Sequence, residues 1–135
     1  MKNLKLFSYL LFLISASLFS SCTRENVDYG HTTKEIISGS KWSVDYYFAG
    51  QDQTAQFSNY TLNFIGNGTL TASDGMNSVN GSWSMIKDIN RNDILQMTIS
   101  EAHFPALNNQ WTINQTQDDL LTMKGANSEL RLRKL

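Results

Sequence analysis

Few residues in this chain of 135 offer a starting point for chemistry. The single cysteine, Cys22, carries its best nucleophile, because a thiolate attacks where hydroxyls do not. One cysteine cannot close an internal disulfide. Glu101 and His103 form the only close acid–histidine pair. On an extended segment they share a face, but two ligands without a thiol are too few for zinc, so no metal site is expected. His31 lies in a polar run and reads as solvated. Asp118 and Asp119 are adjacent, so a strand would point them to opposite faces, which defeats acid–base pairing. Serines, histidines and aspartates occur without a G-x-S-x-G nucleophile turn. Gly66-Asn67-Gly68 lies between two strand patterns rather than before a helix, so it is no phosphate loop. The N-x-[ST] sequons at Asn59, Asn67, Asn80 and Asn114 read as Asn-rich turns and strand threonines. No catalytic residue and no cofactor is expected.

Aromatic side chains are the other functional material. Tyr46, Phe48, Tyr60, Phe64, Trp83 and Trp111 fall at alternate positions of strand-like segments, where they can line a cavity for an apolar or sugar-like ligand. In a barrel with strands this short, the same residues are instead expected to fill the interior as its core. Phe57 and Phe104 sit on two segments that break the alternation, so each can serve as a binding lip at a barrel mouth or as a plug closing it.

The elements that must position these residues are strands. "KWSVDYYF" places Trp42, Val44, Tyr46 and Phe48 on one face and Lys41, Ser43, Asp45 and Tyr47 on the other. "NYTLNFI" and "TLTAS" flank the "GNG" turn, and "DG" at 74–75 marks the next. "GSWSM", "ILQMTIS", "QWTINQ", "LLTMKG" and "ELRLRKL" continue the pattern. "WSV", "WSM" and "WTI" each send Trp42, Trp83 or Trp111 inward, a hydroxyl outward and an aliphatic residue inward. The expectation is an all-β fold, a roughly eight-stranded antiparallel up-and-down barrel. A short helical turn is expected at 53–59 and another at 103–109, where Pro105 suits a first helical turn. Both follow odd-numbered strands and so open at the same end.

Before the strands come two other segments. Lys2 and Lys5 precede an apolar run to Phe19 that is short for a bilayer span and interrupted by Ser8, Ser15 and Ser17, which is the layout of a signal peptide over 1–21. Residues 22–36 are polar and aperiodic and read as a tether to a domain over 37–135. Without Lys2 and Lys5, 11 − 2 = 9 basic residues face 12 acidic ones, a net charge of −3. There is no basic stripe, so nucleic acid is not an expected partner.

The "LFSSC" ending at Cys22 resembles the lipobox of bacterial lipoproteins: aliphatic, small, small, cysteine. That resemblance implies cleavage before Cys22, diacylglycerol on its thiol and acylation of the new amine. Several acyl chains make a lasting anchor at about 0.8 kcal/mol per buried CH₂. Thr23 lacks the aspartate that retains enterobacterial lipoproteins in the inner membrane, which implies an outer-membrane lipoprotein. Residues 37–135, through "ISGSKWSV", "YTLNFIGNGTLTASDG", "NGSWSM", "NQWTI" and "LRLRKL", resemble the small lipocalin-like (calycin-like) domains of Bacteroidetes lipoproteins. Lipocalins carry Gly-x-Trp on the first strand; here Gly39 and Trp42 are two residues apart, and Gly81-Ser82-Trp83 has the spacing on a later strand. Lipocalins also lay a last-strand arginine across that tryptophan, a part open to Arg131 or Arg133, which otherwise alternate outward with Leu130 and Leu132. The resemblance implies a non-catalytic, membrane-anchored binding protein for a small hydrophobic or sugar ligand. The alternative is a solid-cored protein-interaction or inhibitor module of the envelope.

Overall fold

The computed structural model describes residues 32–100 and 105–135. The signal segment, Cys22, the tether up to His31, and Glu101, His103 and Phe104 lie outside the described residues.

Eight strands form a closed antiparallel barrel in which each pairs with the next and the last returns to the first. They are β1 (Ser40–Ala49), β2 (Thr61–Phe64), β3 (Thr69–Ser73), β4 (Ser78–Lys87), β5 (Asp93–Ile99), β6 (Asn109–Thr116), β7 (Leu120–Lys124) and β8 (Ser128–Lys134). This is the expected up-and-down meander. Turn chemistry fixes the register. In the β2–β3 hairpin Gly68 takes a positive φ of 90°, and Asn67 Oδ1 accepts from the Thr69 amide at 2.9 Å. In the β3–β4 turn the Asp74 carboxylate accepts from the Met76 and Asn77 amides at 2.9 and 2.7 Å. The expected helical turns are both 3₁₀, at Thr54–Phe57 after β1 and Pro105–Leu107 after β5.

Alternation holds for most of the core. Trp42, Leu62, Phe64, Leu70, Ala72, Leu95, Trp111, Leu121, Met123, Leu130 and Leu132 are fully buried, and Trp83 nearly so. Inside the wall of β4, Gly81 lies so close to β5 that a Cβ would collide with the Thr98 carbonyl oxygen.

Strict alternation fails in the second half of β1. Val44 faces Leu132 but Tyr46 faces Arg131, so β1 carries one extra residue opposite β8. A bulge of one residue moves every later side chain to the other face. Tyr47, expected outside, is therefore buried at 4% exposure. Phe48, expected inside, stands out at 36%, and Tyr46 is half-buried on the outer wall. A second register shift, between Ile113 and Gln115 of β6, leaves Trp111 inside and Ile113 only partly buried.

The tether reading also changes at its end. Residues 33–37 form a short helix, α1, started by a reciprocal cap. Thr32 Oγ1 accepts from the Glu35 amide at 3.3 Å, and the Thr32 amide donates to Glu35 Oε2 at 2.8 Å. Ile37 is fully buried, and Ile36 packs against the core. One polar turn with a single apolar pair is too short to show helical periodicity.

The bulge yields a direct test. Tyr47→Ala is expected to lose on the order of 3 kcal/mol of unfolding free energy, as for other buried aromatic truncations. Phe48→Ala, one residue on, is expected to change it by less than about 0.5 kcal/mol. Denaturant midpoints of the two variants read this out; the reverse order would restore uninterrupted alternation.

Candidate functional site

The aromatic set is divided by the fold. Phe64, Trp83 and Trp111 are core residues, and Phe64 meets Trp83 edge-on at 5.4 Å. Tyr60 is partly buried against Phe57, with ring centroids 5.0 Å apart. Tyr46 and Phe48 are on the outer wall and line no interior. At zero exposure, the fully buried side chains leave no room beside them even for water. Among the described residues the interior holds no polar side chain.

Both ends of the barrel are closed, and each closure uses an indole N–H. At the end where β1 begins, Trp42 Nε1 donates to the Ile37 carbonyl of α1 at 3.3 Å. Trp83 Nε1 donates to the Ile65 carbonyl of the β2–β3 hairpin at 2.8 Å. At the other end Trp111 Nε1 donates to the Leu107 carbonyl of the second 3₁₀ turn at 3.2 Å. Phe57 packs edge-on against Tyr47 at 4.8 Å and is buried, so it is a plug rather than a lip. Tyr47 reaches across the mouth, its Oη donating to the Ala106 carbonyl at 3.3 Å. Burial raises the Tyr47 pKa, which keeps the phenol protonated for that bond. Asn108 clips the same end to β5, accepting from the Ile99 amide and donating to its carbonyl at 2.7 Å. The two 3₁₀ turns, after β1 and before β6, do share one mouth, as the meander predicts, and bury Phe57 and Leu107 there.

The side chains left open to solvent are on the rims and the outer wall. There Arg131 lies over the Tyr46 ring, 5.0 Å from its centroid, not over the first-strand tryptophan. Its buried Nε has no hydrogen-bond partner among the described residues. Arg133 donates from Nε to Asp45 Oδ1 at 3.0 Å, with Asp119 at 3.7 Å. Beside Phe48, the β7–β8 turn bounds an open hollow of about 500 Å³ that includes Lys124 and Glu129. Sequence reading missed this grouping because it rests on the bulge; two adjacent aromatics, Tyr46-Tyr47, fit either phase.

Where α1 joins the barrel, Asp93 holds two partners. Lys87 Nζ donates to Oδ1 at 2.6 Å, and Thr33 Oγ1 donates to Oδ2 at 2.9 Å. The Lys87 bond, chiefly, and the Thr33 bond lower its pKa against a desolvation that opposes them.

No protein-family model matches the chain, and no curated protein sequence does. Two solved structures resemble its fold. A DUF4847 family protein from Bacteroides vulgatus superposes with a TM-score of 0.58 at 14% identity, over 76% of this chain and 96% of its own. A lipocalin-like protein from Bacteroides uniformis gives 0.53 at 16% identity, over 74% and 99%. The chain thus has the lipocalin-like closed-barrel fold, in line with the resemblance drawn from its turns and tryptophans.

Two predictions follow from this geometry. Phe57→Ser is expected to destabilise the domain by several kcal/mol, since burying such a ring contributes about 1.5–3 kcal/mol and the hydroxyl would be left in an apolar site; unchanged thermal unfolding would return Phe57 to a binding lip. For Asp93 the folded pKa lies below the unfolded value of about 3.9, so its contribution is complete above that value and vanishes as pH falls through the folded pKa. Stability measured below about pH 4 should therefore fall less steeply in Asp93→Asn than in wild type.

Proposed function

We propose that the chain is a non-catalytic lipoprotein of the outer membrane, held by acyl chains on Cys22, whose barrel binds a partner protein through its outer wall. One observation carries this choice over a small-ligand carrier: the interior is filled by its own aromatic and aliphatic side chains, and both mouths are plugged. A carrier needs a concave, desolvated site, and such pockets bury most of the ligand. The outer wall of β1 and β8 offers the residue types that dominate protein interfaces. Tyr46 and Arg131 are already stacked there, with Phe48 exposed two positions along β1.

A second reading has its own observation. The hollow beside Phe48 sets an exposed aromatic face near Lys124 and Glu129. A sugar-like ligand resting there would stack on the ring and hydrogen-bond to the charged neighbours.

Two measurements on protein purified from its own membranes separate these readings. Labelled palmitate is expected in wild type and not in Cys22→Ala; equal labelling would remove the anchor. Native mass spectrometry is expected to give the mass of the acylated chain without a retained small molecule, and a photo-crosslinker at Phe48 is expected to trap a protein. A stoichiometric apolar molecule would reinstate the carrier. A bound saccharide lost in Phe48→Ser would establish the second reading.

A further inference from the structure

The chain enters the barrel at one rim, and that rim has an unusual surface. Thr32, Thr33 and Lys34 share a hollow with Ile86, Lys87 and Asp93 at the β4–β5 hairpin. Lys34 also borders a second hollow reaching the β2–β3 hairpin. The two hairpins and the start of α1 thus make one continuous face. Ile89, at the tip of the β4–β5 turn, is 99% exposed. Ile86 and Ile65, on the two hairpins, are exposed as well.

Ile89 is held in that position. The Asp88 carboxylate accepts from the Asn90 amide, the Asn92 amide and Asn92 Nδ2, each at 2.8 Å. Arg91 completes the turn in the left-handed region, at φ 66°. A braced turn that presents an isoleucine to solvent does nothing for the core, and leaving so large an apolar side chain in water is unfavourable.

Charged residues of both signs flank these isoleucines. Lys34, Lys87 and Arg91 are exposed among the isoleucines. Three carboxylates match them in number: Glu35, Asp88, which Asn92 holds, and Asp93, which Lys87 and Thr33 hold. Asp118 and Asp119 lie on the β6–β7 turn, further round the rim, which biases contact toward the β2–β5 side. Apolar tips among lysine and arginine are the composition of an interfacial lipid-binding surface.

From the sequence, nine residues, 23–31, separate Cys22 from Thr32. Fully extended they reach roughly 30 Å. This rim is the one at which the tether joins the barrel, through Thr32 and α1. We infer that the rim formed by Lys34, Ile65, Ile86, Lys87, Ile89 and Arg91 docks on the phospholipid surface, with Ile89 inserted among the acyl chains. The inference rests on the acyl anchor proposed above and adds an orientation to it. Docked this way, the opposite rim, with Met76 at 94% exposure, points away from the membrane.

Because the chain has a single cysteine that acylation would consume, Ile89→Cys or Met76→Cys gives one labelling site in the full acylated protein. Each is labelled with a polarity-sensitive fluorophore in vesicles of phosphatidylethanolamine and phosphatidylglycerol. The label at 89 is expected to shift to the blue and to be quenched at least twofold more by brominated lipid than the label at 76. Equal, water-like emission from both labels in protein whose mass shows the acyl chains would overturn the docking alone. Protein without acyl chains that stays out of the vesicles would overturn the anchor and the docking with it. Circular dichroism of both variants verifies that the exposed substitutions leave the barrel folded.

Discussion

A barrel of eight short strands has two open ends, and this one depends on closing both. Three indole N–H groups do so, each reaching from a wall strand to a carbonyl in the piece of chain that covers a mouth. The arrangement answers two demands at once. A buried indole must find an acceptor, and a helix or loop end must find donors for its last carbonyls. Trp42 supplies the end of α1 in this way, and Trp111 supplies the second 3₁₀ turn. The caps are then positioned by directional bonds as well as by the non-directional packing of Ile37, Phe57 and Leu107.

This closure moves the functional question from the inside of the fold to its outside. The outer wall is not uniform. From β2 to β5 its outward positions include Thr61, Asn63, Thr71, Asn80, Ser82, Ser84, Gln96 and Thr98, which are hydroxyls and amides without charge. Across β7, β8 and β1 the outward positions include Lys124, Glu129, Arg131, Arg133, Lys41 and Asp45. The charged half also holds Tyr46 and Phe48. Recognition that needs both an aromatic anchor and electrostatic complementarity belongs on that half.

Much of this was legible in the residues because strand alternation is a strong signal wherever one face is apolar. Trp42-Ser43-Val44 and Leu130-Arg131-Leu132 each place two large side chains inside with a polar residue between, and nothing competes with that phase. The bulge in β1 was not legible. "VDYYF" carries aromatics at consecutive positions, so its composition is unchanged whether Tyr46 or Tyr47 faces in. The choice is made by pairing with β8, which is distant in sequence. Helix α1 was hidden for a different reason: its stability comes from a cap between Thr32 and Glu35 and from burying Ile37 in a barrel that its own five residues do not encode. The plug formed by Phe57 was visible as an alternative and was decided by Tyr47, whose inward turn is itself a product of the bulge.

The pairing of β8 with β1 has a consequence for how the molecule comes into being. Every other neighbouring pair of strands is joined by a local connection, whereas this seam joins the two ends of the domain. During synthesis β1 is made first and waits for its second partner until the last strand emerges. Over that interval it presents an unsatisfied edge, with β7 presenting another, and such edges template pairing between chains. Closing the seam brings together the strands furthest apart in sequence, so it has the largest loop-closure entropy of any pairing in the fold. A chain cut short within β8 would keep most of its core residues yet remain an open sheet. Susceptibility to aggregation is therefore concentrated in the final few residues, which contribute little to the core by mass.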